Sequence, residues 1–308
     1  MIEMMDVTKQ FGRTMALKGI TMTIEKGQIY GFVGPNGAGK TTAMSILSTL
    51  TAPTSGMARV GGYDCVKNPK DVRRLIGYMP DFFGVYDNLT AYEYLDFYAE
   101  SHGLPVNERE RVIPQMLELV NLTHKTNDYV DMLSRGMKQR LGLARSLVHN
   151  PEVLILDEPA SGLDPRARIE MREIVKALRD TGKTILISSH ILPELAEMCD
   201  TIGIIEAGQL VAAGTVADID RHMRGHRLLK IRLLGRQAEL LTHLRAVSSI
   251  SNVVAEDGHV IAGFTGTDAE QAGLLASLLA EGYPIIAFGE TEGNLEDIFL
   301  EITKGVGS

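Results

Sequence analysis

The chain alternates apolar stretches of strand length with amphipathic stretches of helical length from its start to about residue 220. Three of the apolar stretches are almost uninterrupted, as in strands that are buried on both faces: Ile29–Val33, Val153–Leu156 and Thr184–Ile187. Between about residues 84 and 150 the strand pattern fades and helical patterns dominate. This order predicts an α/β fold: a largely parallel sheet covered by helices, with an inserted helical lobe.

A different pattern begins after Arg224. Apolar and polar residues alternate over 229–233 and again over 260–264, which is typical of half-buried strands. Helical patterns lie between and after these strands, at about 237–247 and 268–281. The pattern predicts a small α+β domain.

The change of pattern places the domain boundary near residue 223. We therefore expect a principal domain over 1–223 and an accessory domain over 224–308, in keeping with a chain of 308 residues. A last helical pattern, capped by Asn294, carries these apolar residues at helical spacing: Leu295, Ile298, Phe299 and Ile302.

Composition narrows the classes of function. Hydrophobic residues make up 44% of the chain and charged residues 23%, which is ordinary for a globular protein. The formal net charge of -8 argues against a nucleic-acid partner, because phosphates would be repelled. No apolar run reaches the roughly 18 to 20 residues of a membrane helix, so any role at a membrane is expected to depend on a partner. The two cysteines, Cys65 and Cys199, lack metal-ligand spacing and indicate a reducing compartment.

A glycine-rich loop follows the strand Ile29–Val33 and precedes a helical stretch. Its sequence fits G-x-x-x-x-G-K-[ST], in which backbone N–H groups surround phosphate oxygens at a helix N-terminus. Lys40 is placed to reach the β and γ phosphates, and Thr41 to bind Mg²⁺. The loop predicts a nucleotide site formed by these residues: Gly34, Pro35, Asn36, Gly37, Ala38, Gly39, Lys40, Thr41 and Thr42.

Two further apolar strands end in polar residues. Val153–Leu156 runs into Asp157 and Glu158, and Thr184–Ile187 leads to His190. Ligands of parallel sheets bind at the carboxyl ends of the strands. We therefore expect Asp157 to hold Mg²⁺, Glu158 to polarise the attacking water and His190 to hydrogen-bond the γ phosphate.

A second anion site is expected at the stretch Leu133–Leu141, which opens a helix with Ser134 as its N-cap. With this stretch, five motifs stand in the order of the ABC-type ATPases, which the chain resembles from its N-terminus to about residue 220. The motifs are GPNGAGKTT, LSRGMKQRL, VLILDEP, SGLDP and ISSH.

This resemblance implies a P-loop NTPase core, ATP and Mg²⁺ as ligands, and a head-to-tail dimer with two ATP molecules at its interface. Ser134, Gly136 and Met137 would contact the γ phosphate held by the facing subunit. Asp164 would cross the interface near the attacking water, and Phe11 would lie against adenine.

Two positions depart from the family pattern. The usual glutamine after the strand near Tyr78 is Asp81, which we expect to bind Mg²⁺ directly or through a water. The usual glycine after Ser134 is Arg135, which could add attraction for a triphosphate or keep the backbone from closing on it.

The resemblance extends to the ATP-binding subunits of bacterial drug, antibiotic and polysaccharide exporters. Such a subunit is an ATPase that pairs with a copy or a relative of itself. It is cytoplasmic and peripheral, held on the inner face of the plasma membrane by a membrane-spanning permease. The expected docking region for that permease is rich in aromatic residues: Phe82, Phe83, Tyr86, Tyr92, Tyr94, Phe97 and Tyr98.

Two other classes of function remain open from the sequence. One is an ABC-type ATPase that works without a membrane partner, although such relatives carry two motor domains or long inserted arms. The other is a switch that binds ATP without turnover, against which Glu158 argues.

Overall fold

The computed structural model describes residues 1–82, 84, 88–215, 218, 227–256 and 258–291. The helix predicted from Asn294, the boundary predicted near residue 223, and the rings of Phe83 and Tyr86 lie outside the described residues. The chain divides into two compact units, Met1–Val216 and Ala217–Ser308.

The first unit alternates strands and helices. Its strands are β1 (Ile2–Phe11), β2 (Thr14–Ile24), β3 (Ile29–Val33), β4 (Ser55–Val60), β5 (Tyr63–Asp64), β6 (Ile76–Met79), β7 (Val153–Leu156), β8 (Thr184–Ser189), β9 (Thr201–Glu206) and β10 (Gln209–Gly214). Its helices are α1 (Lys40–Leu47), α2 (Pro69–Leu75), α3 (Ala91–Ser101), α4 (Val106–Leu119), α5 (Arg135–Leu147), α6 (Pro165–Asp180) and α7 (Leu192–Ala196).

The central sheet has six strands in the order β10-β9-β3-β8-β7-β6. Five of them are parallel, and β10 closes one edge as the antiparallel partner of β9. Strands β3, β7 and β8 are buried along their whole length, which explains why their sequences are continuous apolar runs rather than alternating ones. Because β3, β8, β7 and β6 are consecutive neighbours, the loops that follow them all leave the same edge of the sheet.

The first unit also contains a four-stranded antiparallel sheet, in the order β2-β1-β4-β5, which the sequence analysis did not predict. Strand β1 was missed because three register shifts with β2 interrupt its alternation of buried and exposed residues. The sheet packs on α1 and the central sheet through one apolar core, which includes Ile2, Leu17, Phe32 and Leu47.

Helices α3, α4 and α5 form the helical lobe. Helix α3 begins at a capping box, in which the Thr90 hydroxyl accepts the Glu93 N–H and the Glu93 carboxylate accepts the Thr90 N–H. Arg109 of α4 is buried and forms ion pairs with Asp96 and Glu100 of α3, at 3.0 and 3.1 Å. These pairs join the two helices while their apolar sides face inward.

The second unit has the order β11 (Arg227–Leu233), α8 (Gln237–Arg245), β12 (Ile250–Glu256), β13 (His259–Phe264), α9 (Asp268–Ala280) and β14 (Ile285–Thr291). Its antiparallel sheet has the strand order β12-β13-β11-β14, a ferredoxin-like βαββαβ arrangement. Alternate residues such as Ile231 and Val260 face a core shared with Leu240 and Leu244 of α8. The alternation read from the sequence thus marks the covered face of this sheet.

Within the described residues, no helix has the length and apolar character needed to cross a lipid bilayer. Cys65 and Cys199 are both buried as free thiols, and burial raises the pKa of Cys65 to about 12. Neither thiol is set up as a nucleophile or as a metal ligand.

Candidate functional site: a glycine-rich loop with an acidic pair, and a second cavity

The glycine-rich loop connects β3 to α1 and directs its backbone toward the start of that helix. Gly39 is the N-cap of α1 with a φ of 112°, a conformation that side chains rarely adopt. A Cβ at this position would lie 2.8 Å from the Ala16 carbonyl oxygen, so only glycine fits. The loop therefore leaves the first N–H groups of α1 without side-chain caps, free to receive an anion.

Lys40, the first residue of α1, is buried in the loop that it follows. Its Nζ donates to the carbonyl oxygens of Gly34 and Pro35. Only 6% of its side chain is exposed, so its charge requires a partner. That partner is Glu158, whose Oε1 lies 3.2 Å from Nζ.

Asp157 and Glu158 follow β7 and are buried as well. The Ser188 hydroxyl joins them, because it donates to Asp157 Oδ1 at 2.6 Å and accepts the Glu158 N–H at 2.9 Å. Glu158 has a φ of 49°, an uncommon conformation for a residue other than glycine, and such strain is concentrated at functional sites. The turn brings the Glu158 carboxylate back over the glycine-rich loop.

His190, immediately after β8, completes the cluster. Its Nδ1–H donates to Glu158 Oε2 at 2.8 Å. One carboxylate therefore holds Lys40 on one oxygen and His190 on the other. Glu158 thus links Lys40 and His190, which are 150 positions apart in the chain.

Asp81 follows β6 and lies within electrostatic reach of this cluster. Burial raises the pKa of its carboxyl group, and Asp157 and Glu158 raise it further, whereas the positive charge of Arg135 and His190 opposes the rise. The carboxyl groups of Asp81, Asp157 and Glu158 are therefore close enough to disfavour one another's ionisation.

A second site lies at the N-termini of α5 and α6. Ser134 caps α5 by accepting the Met137 N–H at 3.3 Å, and Asp164 caps α6 by accepting the Ala167 N–H at 2.9 Å. Ser134, Gly136, Met137 and Asp164 line one cavity of about 570 Å³. Its other lining residues are Asn121, His124, Arg140, Arg166, Ala167 and Glu170.

The two sites have separate linings, since none of Lys40, Glu158 and His190 lines the cavity at α5 and α6. A single chain therefore presents two separate candidate sites, one at the glycine-rich loop and one at the N-termini of α5 and α6. Phe11, expected to contact adenine, stands at the end of β1 with 51% of its side chain exposed, and Lys9 Nζ lies 4.8 Å from its ring centroid.

Two functional features were missed by the sequence analysis. Ser188 was not singled out, but its hydroxyl donates to the Asp157 carboxylate and accepts the Glu158 backbone N–H. Its position two residues before His190, at the end of an identified strand, was the available signal. His124 also lines the cavity at α5 and α6, and it had no such signal, because nothing in the sequence places it beside Asp164.

Comparison with known proteins agrees with this geometry. Residues 17–161 match the family model described as ABC transporter. The chain is 33% identical to the linearmycin resistance ATP-binding protein LnrL of Bacillus subtilis, over 98% of each chain. It is 36% identical to the bacitracin transport ATP-binding protein BcrA of Bacillus licheniformis, over 99% of this chain and 97% of that one.

A solved structure is also similar: the dimeric post-hydrolysis state of the ATP-binding cassette MJ0796 bound to ADP and Pi. It has a TM-score of 0.65 and 25% identity, over 70% of this chain and 99% of that one. The chain belongs to the ATP-binding proteins of ABC transporters. Its activity is ATP hydrolysis that powers an ABC transporter, and its fold class is the predicted P-loop NTPase core.

Proposed function

We propose that this chain binds MgATP between the Gly34–Thr42 loop and Glu158, and that hydrolysis there drives export of an antibiotic-like compound through a separate permease. The observation that carries the proposal is the buried contact of Lys40 with Glu158 and of Glu158 with His190. We assign the ATP-binding domain to residues 1–223 and an accessory domain to 224–308.

The geometry supports a distinct role for each side chain. When ATP binds at the glycine-rich loop, the phosphates offer Lys40 a stronger partner than the Gly34 carbonyl, and its Nζ is already within the loop. Glu158 then keeps His190 as its partner and has one oxygen available to orient a water toward the γ phosphate. His190 is placed to donate a hydrogen bond to the γ phosphate when its ring is protonated.

Mg²⁺ fits the oxygen atoms of this site. Asp157 Oδ2 is buried without a hydrogen-bond partner, which is costly unless a cation or ordered water approaches it. Among the described residues, no three His, Cys, Asp or Glu side chains could hold a metal by themselves. This suits Mg²⁺, which keeps several waters and is held by few carboxylates together with phosphates. We assign Thr41, Asp157 and Asp81 as the residues that would hold Mg²⁺. The bound ion would neutralise part of the negative charge of the phosphates.

The separate cavity supports a two-subunit arrangement. The cavity lined by Ser134, Gly136, Met137 and Asp164 is distinct from the glycine-rich loop, so we propose that it covers the γ phosphate held by a second subunit, either a copy or a relative. Phe11 would stack on the adenine ring.

We further propose that the chain acts at the cytoplasmic face of the plasma membrane, held there by its permease. Phe82 is 93% exposed and directly follows Asp81, and Phe97 of α3 is also exposed, which supports docking of the permease at this lobe. The relatives named for linearmycin resistance and bacitracin transport support an antibiotic-like cargo and outward transport.

The ATP site is tested by steady-state hydrolysis with the purified chain, with and without its membrane partner. We expect Lys40→Ala and Glu158→Gln each to lower kcat by at least about a hundredfold, because each removes a group that acts on the transferred phosphate or its water. Glu158→Gln should still bind ATP, whereas Lys40→Ala should bind it weakly. Turnover of Lys40→Ala equal to wild type would contradict the assigned site.

The membrane partner is tested separately by fractionation of cells that express the chain at its natural level. The chain should sediment with membranes and co-purify with a membrane-spanning protein after mild detergent extraction. Recovery of the chain only in the supernatant would contradict the transporter assignment of partner and location, without affecting the ATP site.

A further inference from the structure

Arg135 occupies an unexpected place in the first unit. A Cβ built on Gly162 would lie 2.4 Å from Arg135 Cζ, 2.6 Å from Nη1 and 2.7 Å from Nη2. Because the three distances are nearly equal, the flat face of the guanidinium covers the side of Gly162 where a side chain would stand. Gly162 also has a φ of 68°, so both the backbone and the arginine require glycine there.

The turn that contains Gly162 is tied to the catalytic cluster. The Ser161 N–H donates to the Glu158 carbonyl oxygen at 3.0 Å, and the Leu163 N–H donates to the Ala160 carbonyl oxygen at 3.3 Å. The turn ends at Asp164, the N-cap of α6. A displacement of the Gly162 backbone is therefore expected to move Glu158 on one side of the turn and Asp164 on the other.

Arg135 is the first residue of α5 and directly follows the Ser134 N-cap, so the start of the helix holds its side chain against the turn. An arginine suits this position because its planar group can stack on a backbone surface while it remains charged.

We propose that Arg135 is a positioning residue for ATP hydrolysis: its guanidinium holds the Ser161–Asp164 turn through Gly162 and thereby sets the position of Glu158. The proposal rests on the ATP site proposed above. The N-terminus of α5 would then act in two ways. Arg135 would position the turn of its own subunit, and Ser134 would contact the γ phosphate held by a second subunit.

The test is a double-mutant cycle in the full chain, measured as kcat and KM for ATP. Arg135→Gln removes the stacked group, and Gly162→Ala inserts a Cβ where that group lies. We expect each single variant to lower kcat about ten- to a hundredfold with KM changed less than about twofold, because a displaced base affects the chemical step more than binding. The double variant should be no slower than the slower single variant.

Two further variants sharpen the result. Arg135→Lys keeps the charge without the plane and should be about as slow as Arg135→Gln. Arg111→Gln removes an exposed arginine of α4 that pairs with Glu108 of its own helix, and this control should retain wild-type kcat.

Several outcomes would overturn the proposal: wild-type kcat in Arg135→Gln or Arg135→Lys, or losses in the two single variants that multiply in the double variant. Should Gly162→Ala not fold, the Gln and Lys variants at 135 decide the question. A Lys40→Ala chain that still hydrolyses ATP would refute the ATP site itself, which is a different failure.

Discussion

The contact between Lys40 and Glu158 makes a prediction about the chain without nucleotide. Lys40→Met keeps much of the length and volume of the side chain but removes the charge that faces Glu158 at 3.2 Å. The carboxylate, of which 11% is exposed, is then left with the His190 Nδ1–H as its remaining side-chain partner. We expect the variant to be destabilised before any ATP is added.

The magnitude follows from distance and burial. Two unit charges 3.2 Å apart attract by ~5 kcal/mol at the effective dielectric constant of about 20 that suits protein sites. Removing one member of a buried pair costs about 3–5 kcal/mol, because the other charge stays desolvated. The hydrogen bond from His190 remains, so we expect a loss at the lower end of this range, about 3 kcal/mol, for Lys40→Met. Adding Glu158→Gln should restore at least about 2 kcal/mol, because the orphaned charge disappears.

The assay is urea unfolding of the nucleotide-free chain, followed by far-UV circular dichroism with EDTA present. The three variants and wild type form a cycle whose interaction free energy is the measured quantity. If the double variant lost as much stability as the sum of its single variants, the pair would not be coupled and our reading of the empty site would be wrong. ATP should stabilise wild type by about 2.7 kcal/mol at a hundredfold excess over Kd and leave Lys40→Met nearly unchanged.

Two other predictions concern His149 and Ser188. Burial, and after it the stacked His102, lower the pKa of His149 from 6.5 to about 4. The unfolded chain therefore binds this proton at a higher pH than the folded chain does. As a result, the free energy of unfolding decreases as the pH falls from about 6.5 to about 4. Urea unfolding should show wild type losing about 2 kcal/mol more than His149→Gln between about pH 7 and pH 5, and equal losses would contradict this. Ser188→Ala should cost about 2 kcal/mol and lower kcat, because two buried groups lose their partner. The control Ser146→Ala removes a buried hydroxyl that bonds only the Leu143 carbonyl oxygen, and a loss as large as that of Ser188→Ala would refute the bridging role.

The sequence predicted the structure correctly where an element depends on residue types that are close together in the chain. The strands Ile29–Val33 and Val153–Leu156 were placed to the residue, because a strand buried on both faces must be apolar throughout. Ser134 was recognised as a helix cap because capping depends on one side chain and the next three residues. In the same way, the glycine-rich loop was recognised because its glycines and Lys40 determine most of the loop conformation locally.

Prediction failed where strand pairing or an ion pair depends on residues that are far apart in the chain. The sheet β2-β1-β4-β5 was missed because β1 has irregular register, and its two neighbours come from different parts of the chain. The nearest charges to Lys40 could not be read from spacing either, since β3, β8 and β7 become neighbours only when the sheet forms.

The amino-acid sequence by itself determined the class of the protein, its phosphate-binding loop and the acidic and histidine residues at the strand ends, because these depend on residue types at short spacing. Only the tertiary structure decided that Glu158 holds both Lys40 and His190, and that Ser188 fixes the acidic pair. The stacking of Arg135 on Gly162 belongs to the second group as well. The physical reason is that a buried charged group, or an exposed glycine backbone such as Gly162, contacts residues of the neighbouring helix or strand. Tertiary packing determines which helix or strand that is.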